Sequence, residues 1–453
     1  MTNQGRKKKY LRPLWLGVLL IAVGISACSE SEQPPAAESE ATRVDASTLT
    51  GKVMCGYQGW FGTPKDGEAR GWRHYRNQTT EQFKPGEAGI EFWPDMRELG
   101  EHERFDTSFR HADGRVAQVF SSAKRDTVVR HFQWMQEYGI DGVFVQRFAT
   151  EVTEPKARQK TAIFRTVNRI LNNCRAGARQ HGRTYAVMYD LTSMKAERIA
   201  LVKEDWRYLV KEMGILKDKS YQHHLGRPVV SVWGVGFGKG RDYGAKEVAD
   251  LIDFLKNDPE CGGLTVMLGM PTNWRDGVKD AGPFADWEPV YRAADIISPW
   301  MVGRYRNAKQ ARNYVATRAK ADRDWCEANG KDFMPVVFPG FGWSNLKKGT
   351  AESPDAFIDR DGGRFLWAQY DAHIREGGAT MIYQAMFDEL DEGTHIFKST
   401  NDPPVGESTF RTYGALPSDH YLWLVGEATK RLRGETPSTQ EMPVRLPSSK
   451  DSK

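Results

Sequence analysis

The sequence predicts an α/β chain folded as a (β/α)8 barrel with extended βα loops. Three observations carry that expectation. Eight strongly apolar runs recur along the body of the chain, and amphipathic helical patterns separate several of them. The runs are apolar throughout rather than alternating, as strands buried on both faces of a parallel sheet require. No glycine-rich phosphate loop follows any run, which weakens the alternative of an open, doubly wound nucleotide-binding sheet. A count of eight favours closure.

Taken in order, "VMCGYQG" (Val53–Gly59) is the first strand, followed by a long irregular insertion from Trp60 to about Ala123 that holds a leftover strand, "VAQVF" (Val116–Phe120). "TVVRHFQWMQEYG" then sets Val128, Phe132, Met135 and Tyr138 at helical spacing, with Asp126 suited to cap its start and Gly139 to end it. "DGVFVQRF" is the second strand. "TAIFRTVNRILNNCRAGARQHG" reads as a helix with Ile163, Val167, Ile170, Leu171 and Cys174 on one face and Gly182 as its stop. The next strands are Tyr185–Asp190, Val229–Gly234, Leu264–Pro271, Asp295–Met301, Phe333–Trp343 and Thr380–Glu389. "AKEVADLIDFLKN" between the fourth and fifth presents Val248, Leu251, Ile252 and Leu255 on one face.

The ends read differently. Arg6 to Lys9 and Arg12 precede a short apolar run, Leu14 to Ile25, that closes in "ISAC". This is the pattern of a bacterial lipoprotein signal (residues 1–27), cleaved before Cys28, whose thiol takes the lipid. The alternative is an ordinary signal peptide or short anchor. Residues 28–48, rich in Ser, Glu, Pro and Ala, are expected to be a lipidated flexible tether, and 436–453 a disordered tail; residues 49–435 form the domain. The expected location is an outer membrane, cell surface or periplasm. The formal charge of +5 resides in the signal, whose five basic residues are unopposed, so the remainder is near neutral and nucleic acid is not an expected partner. Cys55, Cys174, Cys261 and Cys326 lie at no metal-ligand spacing, so a zinc site and a metal cofactor are not expected. Isolated buried thiols are favoured over disulfides in a domain of this size.

"FDELDEGT" packs Asp388, Glu389, Asp391 and Glu392 into five residues at the end of the eighth strand. Barrel active sites form at that rim, and crowded, desolvated carboxylates raise one another's pKa. A protonated carboxyl beside an ionised one suits glycoside cleavage. A solvated acidic turn and a calcium loop compete, but the run lacks the spacing of an EF-hand. Polar and aromatic residues also close other strands: Tyr57, Gln58 and Trp60, then Gln146 and Arg147, Tyr189 and Asp190, Trp233, Asn273 with Trp274 and Arg275, Trp300, and Trp343. "GTPKDGEARGWRHY" adds Trp72, Arg73 and His74 on a loop over the same rim. Aromatic faces interleaved with hydrogen-bonding groups suit a sugar. His223 and His224 precede the fourth strand, on the opposite side, and are expected to be structural.

"VMCGYQGWFGTPKDG…GWRHY", "YGIDGVFVQRF" and "YQAMFDELDEGTHIF" together resemble the glycoside hydrolase family 71/99-like lipoproteins, relatives of the family 99 endo-α-1,2-mannosidases. The likeness spans Gly51 to Gly434. It implies a (β/α)8 barrel without a metal cofactor and two catalytic glutamates, matched here by Glu389 and Glu392 before Gly393 and Thr394. By that resemblance Glu389 is the base on the substrate's 2-hydroxyl, leading through a 1,2-anhydro sugar with retention, and Glu392 is the general acid/base. Leu390 departs from the family's frequent Trp, and Asp388 and Asp391 replace a more neutral setting. The expectation is a membrane-anchored glycoside hydrolase acting on poly- or oligosaccharides. Its proposed substrate contacts are Tyr57, Gln58, Trp60, Trp72, His74, Gln146, Asp190, Trp274, Trp300 and Trp343. The alternatives are a non-catalytic glycan-binding lipoprotein and a calcium-stabilised scaffold.

Overall fold

Eight parallel strands form the central sheet of the protein, described here from a computed structural model. The structure describes residues 43–152, 161–350, 357–437 and 439–445; the signal, Cys28 and most of the expected tether lie outside them. The strands are β1 (Val53–Tyr57), β2 (Gly142–Phe148), β3 (Thr184–Asp190), β4 (Arg227–Trp233), β5 (Thr265–Pro271), β6 (Ile296–Trp300), β7 (Asp332–Phe333 with Val336–Val337) and β8 (Ile382–Gln384). Each pairs in parallel with the next in sequence, and β1 also pairs with β8, Val53 beside Ile382. β3 and β5 are buried along their whole length, as two covered faces demand.

The seventh strand closes the ring in two halves. Asp332 and Phe333 pair with β6, and Met334 N donates to Ile297 O at 3.0 Å. Two residues on, Val336 and Val337 pair with β8, and Pro335 O accepts from Tyr383 N at 2.9 Å. The expected single strand Phe333–Trp343 is therefore broken. Pro335 has no N–H for the ladder, and beyond Pro339 the residues Phe341–Gly342 leave the barrel to pair antiparallel with Phe357–Ile358.

A helix follows every strand: α1 (Arg125–Tyr138), α2 (Ala162–Gln180), α3 (Ala200–Lys211), α4 (Ala245–Asn257), α5 (Phe284–Ala293), α6 (Ala308–Tyr314, continuing through a π-helical turn to Ala328), α7 (Arg364–Arg375) and α8 (His420–Leu432). Gly139 ends α1 at φ 75°, in the left-handed conformation glycine favours. Asp126 does not cap that helix; it lies in the first turn, 2.8 Å from His102 Nε2, and the cap position is held by Lys124. On α2 the buried stripe runs through Phe164, Ile170, Leu171, Cys174 and Ala178, whereas Ile163, expected inside, is exposed. On α4 the four expected apolar residues are buried.

The floor of the barrel is held by the chain's own beginning. Val44 N donates to Gly182 O, His223 N to Ala46 O, and Leu49 N to His224 Nδ1, so the expected tether meets the domain at residue 44 rather than 49. His224 Nε2 lies 2.9 Å from Asp332 Oδ2 on that face, far from the acidic loop in function and structural in role. At the other end, Arg445 bonds Asp419 twice, so the segment 439–445 is docked where a free tail was expected. Cys55, Cys174, Cys261 and Cys326 are buried free thiols. Among the described residues no helix is long and apolar enough to cross a membrane.

Two βα loops are long. The first, from Gln58 to Lys124, holds the antiparallel hairpin of Phe105–Arg110 and Val116–Val119, so the leftover strand pairs outside the barrel. The last runs from Ala385 to Asp419. They are laced together: Glu91 N donates to Leu390 O, Asp95 N to Lys398 O, Thr400 N to Trp93 O and Arg411 N to Glu91 O.

Candidate active site

The acidic run leaves β8 as a closed loop. Phe387 N still bonds Gly56 O on β1, Met386 N bonds Thr394 O, and Thr394 N and His395 N both donate to Glu389 O. Gly393 makes the return at φ 61°, a conformation that strains any residue with a Cβ. Around this loop, Gly342 N donates to Glu392 O, and Arg360 Nη2 donates to Gly393 O at 2.9 Å and His395 O at 2.8 Å. The Arg360 guanidinium is buried among Phe92, Tyr413 and Tyr421, so a cation sits behind the acids.

The four carboxylates occupy four different settings. Asp388 is fully buried and accepts from the backbone N–H groups of Gln58 (2.7 Å) and Gly59 (2.8 Å), which ties the loop to the end of β1. Burial still pushes its pKa up to about 7 against those two donors. Asp388→Ala would strand both N–H groups. The expected cost is about 1–3 kcal/mol for each, measured as a lowered urea midpoint; an unchanged midpoint would show that the loop anchors elsewhere.

Glu389 accepts from Gln58 Nε2 at 2.7 Å and from the Thr394 hydroxyl. Its pKa is well above the usual value, first through burial, then through the charge of Glu392; the two donors oppose the shift. Glu392 is half-buried, the most open of the four. Asp391 is buried, and its Oδ2 lies 2.8 Å from His74 Nδ1. Burial raises its pKa to about 8.

The walls follow from strand alternation. Gly56 on β1 and Gln58 just past its end face inward, the glycine packed beneath Met386 and Tyr383, while Tyr57 faces out. Tyr57 is wholly buried, bonded to His131 on α1 at 2.8 Å, and does not line the cleft as expected. Phe148, Asp190 and Trp233 stand side by side at the ends of β2, β3 and β4. Gly269 lies beside Trp233 in register, and a Cβ there would come within 2.3 Å of the indole, so glycine alone admits that ring. Trp300 meets Trp233 edge-on (5.7 Å) and Tyr383 (6.2 Å). Trp60 lies between Phe148 and His74, stacked on the imidazole at 3.8 Å and 3°.

The structure thus gathers Gln58, Trp60, His74, Gln146, Asp190 and Trp300 about the rim with the acidic loop. Trp343 lies next to Gly342, whose N–H holds Glu392 O. Trp72 packs on Tyr75 and Phe83 within the insertion. Trp274 corrects the expectation: it is fully buried against Tyr291 and Trp325, behind the strand rather than in the cleft. Arg147 and Arg275 also point outward, into ion pairs with Asp205 and Asp322. Among the described residues no group of three or more His, Cys, Asp or Glu is placed to hold a metal ion.

Sequence reading missed the Asp388 anchor, the His74–Asp391 pair, Arg360 and Glu91. Glu91 is buried, with Asn345 N donating to it at 2.6 Å. A lone acid inside the apolar "GIEFW" was its one visible signal; the Asp388 and His74 contacts join residues more than 300 positions apart, and those of Arg360 span 33 and 35.

No protein-family model matches the chain, and no curated protein matches it. Solved structures do. A glycoside hydrolase family 99 endo-α-mannosidase from Bacteroides thetaiotaomicron superposes with a TM-score of 0.60 at 16% identity, covering 85% of this chain and 99% of that one. The same kind of enzyme from that organism, in complex with bis-tris propane, gives 0.58 at 17% identity over 86% and 99%. The fold is shared. At that identity the likeness establishes the (β/α)8 architecture, and the chemistry rests on the residues.

Proposed function

We propose that the protein is a membrane-anchored, extracytoplasmic glycoside hydrolase that cleaves poly- or oligosaccharides with Glu389 and Glu392. The observation that carries this reading is the paired setting of those two acids at the C-terminal rim. Glu389 is buried, held by Gln58 and Thr394, with its pKa raised partly by Glu392. A carboxylate whose pKa is lifted toward the working pH is a stronger base for a sugar hydroxyl than an ordinary glutamate. Glu392, being more open, can exchange protons with the leaving oxygen and then with water. The resulting reaction retains configuration: Glu389 takes the proton of a substrate hydroxyl as that oxygen attacks the anomeric carbon, and Glu392 protonates the departing oxygen. Glu392 then deprotonates the incoming water as it attacks the anomeric carbon, the bond to the sugar's own oxygen breaks, and Glu389 returns its proton to that oxygen.

Several rim atoms support a polyol ligand. Gln58 Oε1, Trp60 Nε1, Gln146 Oε1 and Trp233 Nε1 are buried polar atoms without a protein partner. Buried polar groups ordinarily have partners, and sugar hydroxyls serve donors and acceptors alike. α-Mannosides are the first substrates to try, because the structural neighbours are endo-α-mannosidases. The lipid anchor rests on Cys28 and its preceding apolar run, and places the domain outside the cytoplasm.

Reducing-sugar release from a panel of α- and β-linked glycans, by residues 43–453, tests the activity. Release with retained anomeric configuration, followed by NMR, is the expected result. Binding without release from any glycan would instead indicate a glycan-capture protein.

A further inference from the structure

Beside the Asp388 anchor, the acidic loop contains a second acid for which the reaction above has no use. Asp391 sits between the two reacting glutamates in sequence, and its carboxyl is 2% exposed. We propose that Asp391 is held as a neutral carboxylic acid whose proton is donated to Nδ1 of His74, so that the loop presents its reacting pair without a third charge beside it. Its purpose rests on the hydrolase reading; its geometry does not.

Three features argue for the proton. Asp391 Oδ1 is buried with no hydrogen-bond partner. An ionised oxygen in that position would be costly to desolvate, whereas the carbonyl oxygen of a neutral acid is far cheaper to leave unmatched. Second, the partner of Oδ2 is a half-buried imidazole stacked face to face on Trp60, whose pKa desolvation and the neighbouring Arg73 hold well below the usual histidine value. A neutral ring with its proton on Nε2 offers a lone pair at Nδ1, which accepts the acid's O–H. Third, burial is the largest influence on Asp391 and disfavours its ionisation, while the groups that face it divide. Its own loop supplies Asp388, Glu389 and Glu392. The first βα loop supplies the Tyr75 hydroxyl and Arg73, the cation that pulls the other way together with the backbone N–H groups of Asp391 and Glu392. Arg73 is itself shared with Glu151, at 3.3 Å, and Arg70 and Arg76 lie around His74 beyond it.

The pair thereby acts as a positioning unit. Trp60 orients His74, His74 orients the Asp391 proton, and the neutral carboxyl lets Glu389 and Glu392 share the remaining charge.

The sign of the pH dependence is specific. An acid whose pKa rises from 3.8 in the unfolded chain to about 8 in the fold costs stability as pH climbs between those values. Asp391→Asn removes that titration and can still donate to Nδ1. Its melting temperature relative to the parent should therefore rise steadily from about pH 5 to about pH 8. A difference that stays flat or falls with pH would overturn the proposal. Should the variant fail to fold, histidine-labelled parent protein gives a second reading by 15N NMR. The expected state of His74 is the Nε2-protonated tautomer with Nδ1 accepting; a proton on Nδ1 would refute it. Neither measurement uses a glycan, so a failure of hydrolysis in the panel and a failure here are separately visible.

Discussion

Glu392→Gln is expected to lower turnover of an unactivated glycoside by ~10²–10⁴-fold, the usual contribution of a positioned general acid. Binding should survive, since the amide keeps the shape of the acid. The same variant should regain its first step on a substrate with an activated aryl leaving group, which departs without a proton. Glu389→Gln should lose both reactions, because in the proposed reaction Glu389 accepts a proton from the sugar and does not supply one. If Glu389→Gln were the variant rescued by the activated substrate, the two roles would be exchanged. If neither changed turnover, the reacting acids would lie elsewhere. For the parent, the acid limb of the pH–rate profile should lie above the ordinary glutamate range, because burial and the neighbouring charges lift Glu389. With two interacting carboxyls the limbs belong to the pair and not to either residue alone.

Asp205→Ala is expected to be the most damaging change outside the cleft. Arg147, on β2, forks onto Asp205 of α3 through Nε (2.5 Å) and Nη2 (2.6 Å), and Tyr189 donates to the same carboxylate at 2.7 Å. Arg147 is 4% exposed and Asp205 wholly buried. Removing the aspartate leaves a buried guanidinium with a neutral hydrogen-bond partner, Asn168 at 2.9 Å, and the Phe164 ring at 5.8 Å. Stranding one half of a buried ion pair typically costs ~3–5 kcal/mol. Chemical denaturation would read this as a large fall in midpoint. Replacing both partners, as in Arg147→Met with Asp205→Leu, should recover much of the loss. A single variant as stable as the parent would show that water reaches the pair.

The strand inventory was legible because each barrel strand, covered on both faces, is written as an uninterrupted apolar run. Helix α4 was legible from its period. What misled was direction. Tyr57 and Trp274 follow strands as surely as Gln58 and Trp300 do, yet a strand end puts successive side chains on opposite faces, and the apolar rings went to the helices. Ile163 failed differently: at the start of α2 the next residue, Phe164, takes the buried face, and Ile163 is left on the solvent side. The acidic loop was visible as a cluster, but the distinct setting of each acid was not. Those settings come from Gln58, Gly59 and His74, whose contacts with the loop span 317 to 331 residues.

The lacing of the first and last βα loops has a consequence for the order of synthesis. Residues 58 to 124 leave the ribosome early and carry half of the cleft, including Gln58, Trp60 and His74. Their hydrogen-bond partners, Leu390, Lys398 and Thr400, emerge near the end of translation. The early segment therefore has to be kept soluble while its partners are still missing, and the cleft is completed only when the last loop has been made. Contacts of such long sequence separation fold slowly and leave intermediates exposed. A truncation that stops at Phe387 would thus leave all eight strands, yet a first long loop without its partners Asp388, Leu390, Asp391, Lys398 and Thr400.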